Sequence, residues 1–169
     1  MSRTIAVTGA TGFIGAMLVD HLLAAGWNVR ALVRSRSAHR IAEKPGLETV
    51  TGSLQDDKSL HRLVQGAAAV VHCAGAVRGS TAADFNAVNV DGLQRLVRAA
   101  LSLSPRPRFL LLSSLAARAP ELSHYASSKH QGELALAAMA EDMKWVALRP
   151  PAVYGPGDKE MLPLFQWME

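Results

Sequence analysis

Tyr125 and Lys129 stand four residues apart and form the pair of side chains best suited to chemistry in this sequence. The surrounding residues predict a helix from about 124 to 142, and this spacing places both side chains on one helix face. A free tyrosine is a poor base near neutral pH, but a neighbouring ammonium group favours the phenolate. The pair can therefore pass a proton to or from a substrate hydroxyl or carbonyl.

A serine can act on the same substrate oxygen. The apolar run 109–112 predicts a strand, and Ser113 and Ser114 follow directly at its end. A hydroxyl at the end of a strand can hydrogen-bond a reacting oxygen and orient it. Ser114 is therefore a candidate partner for Tyr125 and Lys129, whereas Glu133, further along the same helix, is interpreted as an ordinary charge on the solvent face.

A glycine-rich turn from Thr8 to Gly15 is the second informative segment. It follows an apolar run at 3–7 and precedes a segment of helical periodicity at 16–25, which Gly26 ends. Glycine lets a backbone approach a pyrophosphate, and the next helix supplies N–H groups and the positive end of its dipole. The turn predicts a dinucleotide site, the alternative being a tight turn without a ligand. The residues assigned to the cofactor here are Gly9, Thr11, Gly12, Phe13, Ile14 and Gly15.

The end of the second predicted strand, at 28–33, indicates which dinucleotide binds. An NAD site usually has an acidic residue there to bind the ribose hydroxyls, but Arg34 and Arg36 follow this strand. Guanidinium groups can hold a 2′-phosphate through charge-assisted hydrogen bonds. We therefore predict NADP over NAD. The alternative is a solvated basic loop, since Arg40 and Lys44 follow as well.

Composition limits the class of protein. The 169 residues are 49% hydrophobic and 19% charged, which is typical of one globular α/β domain. The net charge of +4 is spread along the chain and only 5% of residues are aromatic, so we expect no nucleic-acid surface. A single cysteine, Cys73, and the lack of a signal-peptide pattern favour a cytoplasmic location. We also expect no metal site and no membrane span, because neither ligand spacing nor a long apolar run is present.

Strand and helix patterns alternate along the remaining chain. Further strands are predicted at 47–51, 68–73, 109–112 and 145–148, and further helices at 57–65, 82–103 and 124–142. This alternation predicts an α/β fold with a doubly wound parallel sheet, the Rossmann fold, with helices on both faces. Ligands of such sheets bind outside the carboxyl ends of the strands. The residues predicted at those ends are Gly9, Arg34, Ser53, Ala74, Ser114 and Pro150.

These motifs, in this order, resemble the extended short-chain dehydrogenase/reductases, which form the NAD(P)-dependent epimerase/dehydratase family. The matching segments are 8–15, 71–75, 89–92, 113–114, 125–129 and 149–157. The resemblance covers essentially the whole chain and implies an NAD(P)-dependent oxidoreductase that transfers hydride at a carbonyl or alcohol carbon, for which the arginines after the second strand favour NADP. By this resemblance Ser114, Tyr125 and Lys129 are catalytic, and Asn89 braces the helix beside them.

The resemblance also extends the cofactor site to other strand ends. The residues it adds or shares are Ser53, Leu54, Cys73, Ala74, Gly75, Tyr125, Lys129, Pro150 and Val153. Many members have an aspartate where Ser53 stands, so the contact with adenine is expected to be weaker here. Two alternatives stay open: an epimerase or dehydratase of nucleoside-diphosphate sugars, and a non-catalytic NADP-binding sensor or assembly module. The substrate is a small molecule, and an anionic compound or a sugar nucleotide are candidates.

The same resemblance predicts the domain organisation. Residues 1–155 are expected to form the NADP-binding Rossmann domain. Members of the family continue into a substrate-binding lobe, which is expected to be largely absent here, with 156–169 as the start of a truncated substrate-binding region. Members often dimerise through two long helices, so a homodimer built on 82–103 and 124–142 is also an expectation.

Overall fold

A six-stranded parallel sheet forms the centre of the molecule in a computed structural model, which describes residues 4–155, 157–158 and 167. The strands are β1 (Thr4–Thr8), β2 (Asn28–Val33), β3 (Leu47–Thr51), β4 (Ala69–His72), β5 (Arg108–Leu112) and β6 (Trp145–Leu148). Their order is β3-β2-β1-β4-β5-β6, and every neighbouring pair is parallel. The order reverses between β1 and β4, where doubly wound sheets open a crevice for ligands. The predicted Rossmann fold is confirmed.

Helices connect these strands on both faces of the sheet. They are α1 (Phe13–Ala24), α2 (Asp57–Val64), α3 (Ala82–Asn89), α4 (Asp91–Leu101) and α5 (His124–Met139). Three short 3₁₀ helices, which the sequence did not predict, lie at Ser35–Arg40, Leu115–Arg118 and Pro120–Leu122. The sequence placed the start of the first strand at residue 3, and that position lies outside the described residues.

The prediction of one long helix at 82–103 was wrong. The backbone of Val90 leaves the regular helical conformation at φ −113° and ψ −66°, so α3 ends at Asn89 and α4 begins at Asp91. At this point α5 approaches closely, because a Cβ built on its Gly132 would lie 2.6 Å from the carbonyl oxygen of Asn89. The break thus places Asn89 at a helix end that packs directly on α5.

Two hydrophobic clusters lie on opposite faces of the sheet. Alternate residues of β1 serve different clusters: Ala6 packs with α2, α4 and α5, whereas Ile5 and Val7 pack with α1. Phe109 and Leu136 are almost fully buried in the larger cluster. Burial on both faces explains why the strands read as continuous apolar runs rather than as alternating ones.

The remaining boundary predictions fall near the end of the described chain. The proposed substrate-binding segment 156–169 lies outside the described residues except for 157–158 and 167. Within the described ranges no helix combines the length and apolar character needed to cross a membrane. The same part of the chain holds no group of three or more His, Cys, Asp or Glu residues arranged to bind a metal ion.

Candidate active site

A cleft of about 1030 Å³ lies across the carboxyl ends of β1, β4, β5 and β6. Ligand pockets in proteins commonly measure about 300–1,000 Å³, so the cleft is large enough for an extended ligand. It brings together residues that the sequence placed in separate motifs. The predicted site residues that line it are Gly9, Thr11, Gly12, Phe13, Ile14, Gly15, Cys73, Gly75, Ser114, Tyr125, Lys129, Pro150 and Val153.

The glycine-rich turn forms one end of this cleft, and close contacts require its glycines. Gly9 has a φ of 73°, and a Cβ added to it would lie 2.6 Å from the amide nitrogen of Ala74. A Cβ on Gly15 would lie 2.1 Å from the carbonyl oxygen of Gly9. Gly12 is the N-cap of α1 and carries no side chain to occupy the helix terminus. The turn therefore leaves backbone N–H groups and space at the start of α1, which fits the phosphates of a dinucleotide.

A buried hydrogen-bonded pair supports the turn from below. The Thr8 Oγ1 and His72 Nδ1 atoms are 2.7 Å apart, and the Ala74 amide donates to the same Thr8 oxygen over 3.3 Å. Burial, with a smaller effect of the Lys129 charge, lowers the pKa of His72 to about 3. His72 is therefore neutral near pH 7 and joins the ends of β1 and β4 as a core residue.

Tyr125 lies in the first turn of α5 and is half-buried in the cleft wall. Ser123 caps the helix by accepting a hydrogen bond from the Ala126 amide over 3.0 Å, which fixes where the helix begins. The ring of Phe85, from α3, packs edge-on against the tyrosine ring with centroids 6.2 Å apart. The cap thus fixes the start of the helix, and the aromatic contact fixes the phenol ring.

Lys129 follows one turn later and is 8% exposed. Its Nζ donates to the carbonyl oxygen of Leu112 at the end of β5 over 3.0 Å. Gly75 permits this position, because a Cβ there would lie 3.1 Å from Nζ. Burial lowers the pKa of Lys129 to about 8, while Cys73 and Glu133 oppose that effect. The lysine is thus poised to change charge just above neutral pH.

Ser114 lies directly after β5, in the same cleft wall as Tyr125 and Lys129. Its hydroxyl oxygen accepts a hydrogen bond from the Ala116 amide over 3.2 Å and caps the 3₁₀ helix Leu115–Arg118. The hydroxyl hydrogen is still available for a substrate oxygen. The cleft therefore gathers a hydroxyl, a phenol and an ammonium group, which is the set needed to orient and protonate a reacting oxygen.

Asn89 lies behind the cleft and links the loop after β4 to α5. Its Oδ1 accepts from the Ala76 amide over 2.9 Å, and its Nδ2 donates to the Ala76 carbonyl over 3.0 Å and to Ser128 Oγ over 2.9 Å. Ser128 Oγ in turn donates to the carbonyl of Tyr125 over 2.8 Å. Asn89 is thus placed to brace the tyrosine-bearing helix through Ser128 rather than to touch a substrate.

Comparison with known sequences identifies the family of this chain. The sequence profile of the NAD dependent epimerase/dehydratase family matches residues 5–166. This chain belongs to that family. It is 46% identical over 162 residues to a ceramide reductase of Caulobacter vibrioides, covering 96% of this chain and 50% of the relative. It is 30% identical over 184 residues to a UDP-glucose 4-epimerase of Vibrio cholerae, covering 94% of this chain and 54% of that protein. The chain spans about half the length of these curated relatives.

Solved structures share the fold of this epimerase/dehydratase chain. The Bordetella bronchiseptica enzyme WbmH, solved with NAD+, superposes with a TM-score of 0.85 at 24% identity, over 99% of this chain and 62% of that one. WbmG from the same organism, solved with NAD, superposes with a TM-score of 0.77 at 26% identity, over 90% and 54% of the two chains. The first of these, at its low identity, shows the fold alone.

Some residues that the sequence assigned to the cofactor do not line the cleft. Arg34 and Arg36 are exposed beside the end of β2. The Ser53 hydroxyl accepts from the Gln55 amide over 3.3 Å, and the Leu54 side chain is 7% exposed within the core. Ala74 packs under Gly9. Their assignment to the cofactor stays a prediction.

The cleft also contains residues that the sequence reasoning missed. Arg40 lines it as the last residue of the 3₁₀ helix Ser35–Arg40, and its presence in an arginine-rich run was the available signal. Exposed hydrophobic residues from two loops and two 3₁₀ helices also line the cleft and are called here the apolar wall. This apolar wall consists of Val77, Leu115 and Leu122, which the sequence did not assign to the site, and of Val153, which the resemblance had assigned to the cofactor. No local pattern predicts it, because its members come together only in the fold.

Proposed function

We propose that this chain forms the cofactor-binding part of an NADP-preferring reductase that acts at a carbonyl or alcohol carbon. The observation that carries the proposal is that Ser114, Tyr125 and Lys129 line one cleft with the glycine-rich turn. When bound, the nicotinamide supplies or accepts the hydride. The 46% identity to a ceramide reductase supports a net reduction over an epimerisation.

Each side chain then has one task in proton transfer. The phenolic oxygen of Tyr125 gives a proton to the substrate oxygen, or takes one in the reverse direction. The Ser114 hydroxyl donates to that oxygen and orients it. Lys129 uses one of its three N–H donors on the Leu112 carbonyl, so two remain for the ribose hydroxyls of the cofactor. Its positive charge, one helical turn from the phenol, stabilises the negative charge that develops on the tyrosine oxygen as the proton leaves.

Three arginines support the preference for NADP. Arg34 and Arg36 are exposed where β2 ends, and Arg40 faces the cleft at the end of the following 3₁₀ helix. An acidic residue in this segment would repel a 2′-phosphate, and the segment from 34 to 42 contains none. A guanidinium group can bind that phosphate through two parallel hydrogen bonds.

The apolar wall supports a substrate with an apolar part. Hydrophobic side chains at the mouth of a polar reaction site favour a substrate that carries hydrocarbon beside its carbonyl. Leu122, which is 77% exposed, offers the largest uncovered surface of the four. The relative named as a ceramide reductase also supports a substrate with an apolar part. We therefore propose a ketone of the ceramide class as the first substrate to test.

The substitution Tyr125→Phe in the full-length protein tests the proposal. We expect NADPH consumption with a ceramide-type ketone to fall by about 10²- to 10⁴-fold, because the proton donor is lost, while NADPH binding is kept. Glu141→Gln, at an exposed position beyond the end of α5, is the control and should keep full turnover. Parental turnover in Tyr125→Phe would refute Tyr125 as the proton donor, and a parent protein that consumes no NADPH with the ketone would refute the reductase proposal.

A sugar-nucleotide epimerase is the second candidate, supported by the 30% identity to UDP-glucose 4-epimerase. The two candidates differ in what happens to the cofactor. A reductase consumes one NADPH for each product, whereas an epimerase interconverts two sugar nucleotides with no net change in cofactor. Incubation with UDP-glucose, followed by separation of the nucleotide sugars, decides between them. A sensor would bind cofactor and show neither result.

A further inference from the structure

A carboxylate on α5 joins the two strand ends that flank the proton-transfer residues. Glu133 lies one helical turn after Lys129, and its side chain is 11% exposed. It accepts a hydrogen bond from Ser113 Oγ, and Arg149 Nε donates to both of its oxygens over 3.0 and 3.1 Å. Arg149 Nη2 adds a further bond to the same carboxylate. This is a bidentate, charge-assisted contact between α5 and the chain just beyond β6.

Both partners of Glu133 are chain neighbours of cleft residues. Ser113 directly precedes Ser114, which is the proposed orienting hydroxyl, and Arg149 directly precedes Pro150, which also lines the cleft. A movement of either partner therefore moves the cleft wall. The three side chains fix the ends of β5 and β6 relative to the helix that carries the tyrosine and lysine.

The carboxylate is charged at neutral pH. Burial alone would raise the pKa of Glu133, but the hydrogen bonds from Arg149 and Ser113 and the nearby positive charges of Arg149 and His130 hold it below its usual value. The side chain thus provides a fixed negative charge on α5. This charge is close enough to Lys129 to favour the ammonium form.

Other groups face Lys129 but do not supply a negative charge near pH 7. Burial lowers the pKa of His72 to about 3, so this β4 residue is neutral. Burial raises the pKa of Cys73, beside β4, to about 11, so its thiol is also neutral. Tyr125 on the same helix and the Leu112 carbonyl present only neutral oxygen atoms when the phenol is protonated. Glu133 is ionised near pH 7, so its charge opposes the effect of desolvation on the pKa of Lys129, whereas Cys73 acts in the same direction only once its thiol ionises.

We propose that Glu133 is a positioning residue of the proton-transfer site. It holds Ser114 at a fixed place relative to α5 through Ser113, and it maintains the ammonium form of Lys129. This inference rests on the proposed reductase function, because it assigns Glu133 a role in the same site.

The test is Glu133→Gln in the full-length protein, with Glu141→Gln as a control at an exposed position beyond the end of α5. We expect kcat to fall by about 10- to 100-fold, since the serine and tyrosine lose their fixed geometry. NADPH affinity should weaken as pH rises through the pKa of Lys129, which is about 8 in the parent protein. Without the carboxylate that pKa falls, so the loss of affinity should begin at lower pH.

A purely structural role would not move this midpoint. Unchanged kcat, or a lower kcat with the same midpoint of NADPH affinity against pH, would overturn the proposal. If Glu133→Gln does not fold, Ser113→Ala decides, because it removes one donor and keeps the ion pair with Arg149. A several-fold lower kcat in Ser113→Ala supports the proposal, and parental kcat overturns it.

The proposal for Glu133 and the reductase proposal can fail independently, and the experiments distinguish the two failures. If the parent protein consumes no NADPH with the ketone, the proposed reaction itself is wrong. If Tyr125→Phe is inactive but Glu133→Gln matches the parent protein in kcat and in pH dependence, the reaction stands and only the positioning role of Glu133 fails.

Discussion

The two ends of the cleft are built by different means. At the β1 and β4 end, the glycine-rich turn is shaped by backbone contacts, with hypothetical Cβ atoms 2.1 and 2.6 Å from neighbouring backbone atoms. At the β5, α5 and β6 end, side chains define the site through hydrogen bonds and an ion pair of Glu133 and Arg149. Phosphate binding needs free N–H groups and space, whereas proton transfer needs a charge whose strength burial can adjust.

The difference predicts different sensitivities. The turn end should respond to added volume and stay almost indifferent to pH, because its buried titratable group, His72, has a pKa of about 3 and stays neutral in the physiological range. The proton-transfer end should respond to charge, because Lys129 has a pKa of about 8. Substitutions at each end should therefore affect different properties of the protein.

Gly15→Ala should have the largest effect. The new Cβ would lie 2.1 Å from the Gly9 carbonyl oxygen, so α1 must move away from the turn. We expect NADPH affinity to fall by about 100-fold or more, which corresponds to about 2.7 kcal/mol. Titration of the cofactor by its fluorescence measures this loss.

Gly66→Ala is the matched control for this change. Unlike Gly15, Gly66 has a positive φ, of 66°, and nothing lies within 4 Å of an added Cβ there. This variant should lose about 1 kcal/mol of stability through its backbone conformation and keep NADPH binding. Equal losses of affinity in both variants would mean that general stability, and not the shape of the turn, controls cofactor binding.

Asn89→Ala should have an intermediate effect. It tests stability at a residue that links the two ends of the cleft. Its buried amide joins the loop after β4 to α5 through Ala76 and Ser128. Leaving those groups unpaired should lower the free energy of unfolding by about 2–3 kcal/mol. Urea denaturation measures the change, and Asn86→Ala, one turn earlier on α3, is the control. A parental unfolding midpoint in Asn89→Ala would show that the two ends are not coupled through this amide.

Arg40→Ala should have the smallest effect. It tests whether a charged side chain at the turn end contributes to NADPH affinity. We expect NADPH affinity to fall about tenfold, or about 1.4 kcal/mol, with NADH affinity unchanged, because only the 2′-phosphate contact is lost. Arg34→Ala and Arg36→Ala are the comparison variants. A loss confined to those two variants would favour the assignment made from sequence over the one that the cleft supports.

The fold was largely predictable because its signals are local. Alternating strand and helix patterns, with glycines where turns are required, predicted the doubly wound sheet that the structure confirms. The long helix predicted at 82–103 was wrong, since the break at Val90 coincides with the close approach of Gly132 from α5. A contact between distant segments leaves no periodic signal in either segment.

The site was predictable in its residue types and less so in its surroundings. Ser114, Tyr125 and Lys129 line the cleft beside the glycine-rich turn, although their catalytic roles stay predictions. Glu133, interpreted from sequence as an ordinary surface charge, is instead half-buried and bound by Arg149 and Ser113. Ser113 follows β5 and Arg149 follows β6, so sequence spacing does not reveal that they contact Glu133.

Properties that depend on chain neighbours could be predicted from the sequence alone. The spacing of Tyr125 and Lys129 on one helix and the glycines at the start of α1 are of this kind. How strongly Lys129 is desolvated, and which groups bind Glu133 one helical turn away from it, depends instead on the folded arrangement of the strands. Burial and pairing act through space, so a charge on α5 acquires its environment from β4, β5 and β6 once the sheet has brought them together.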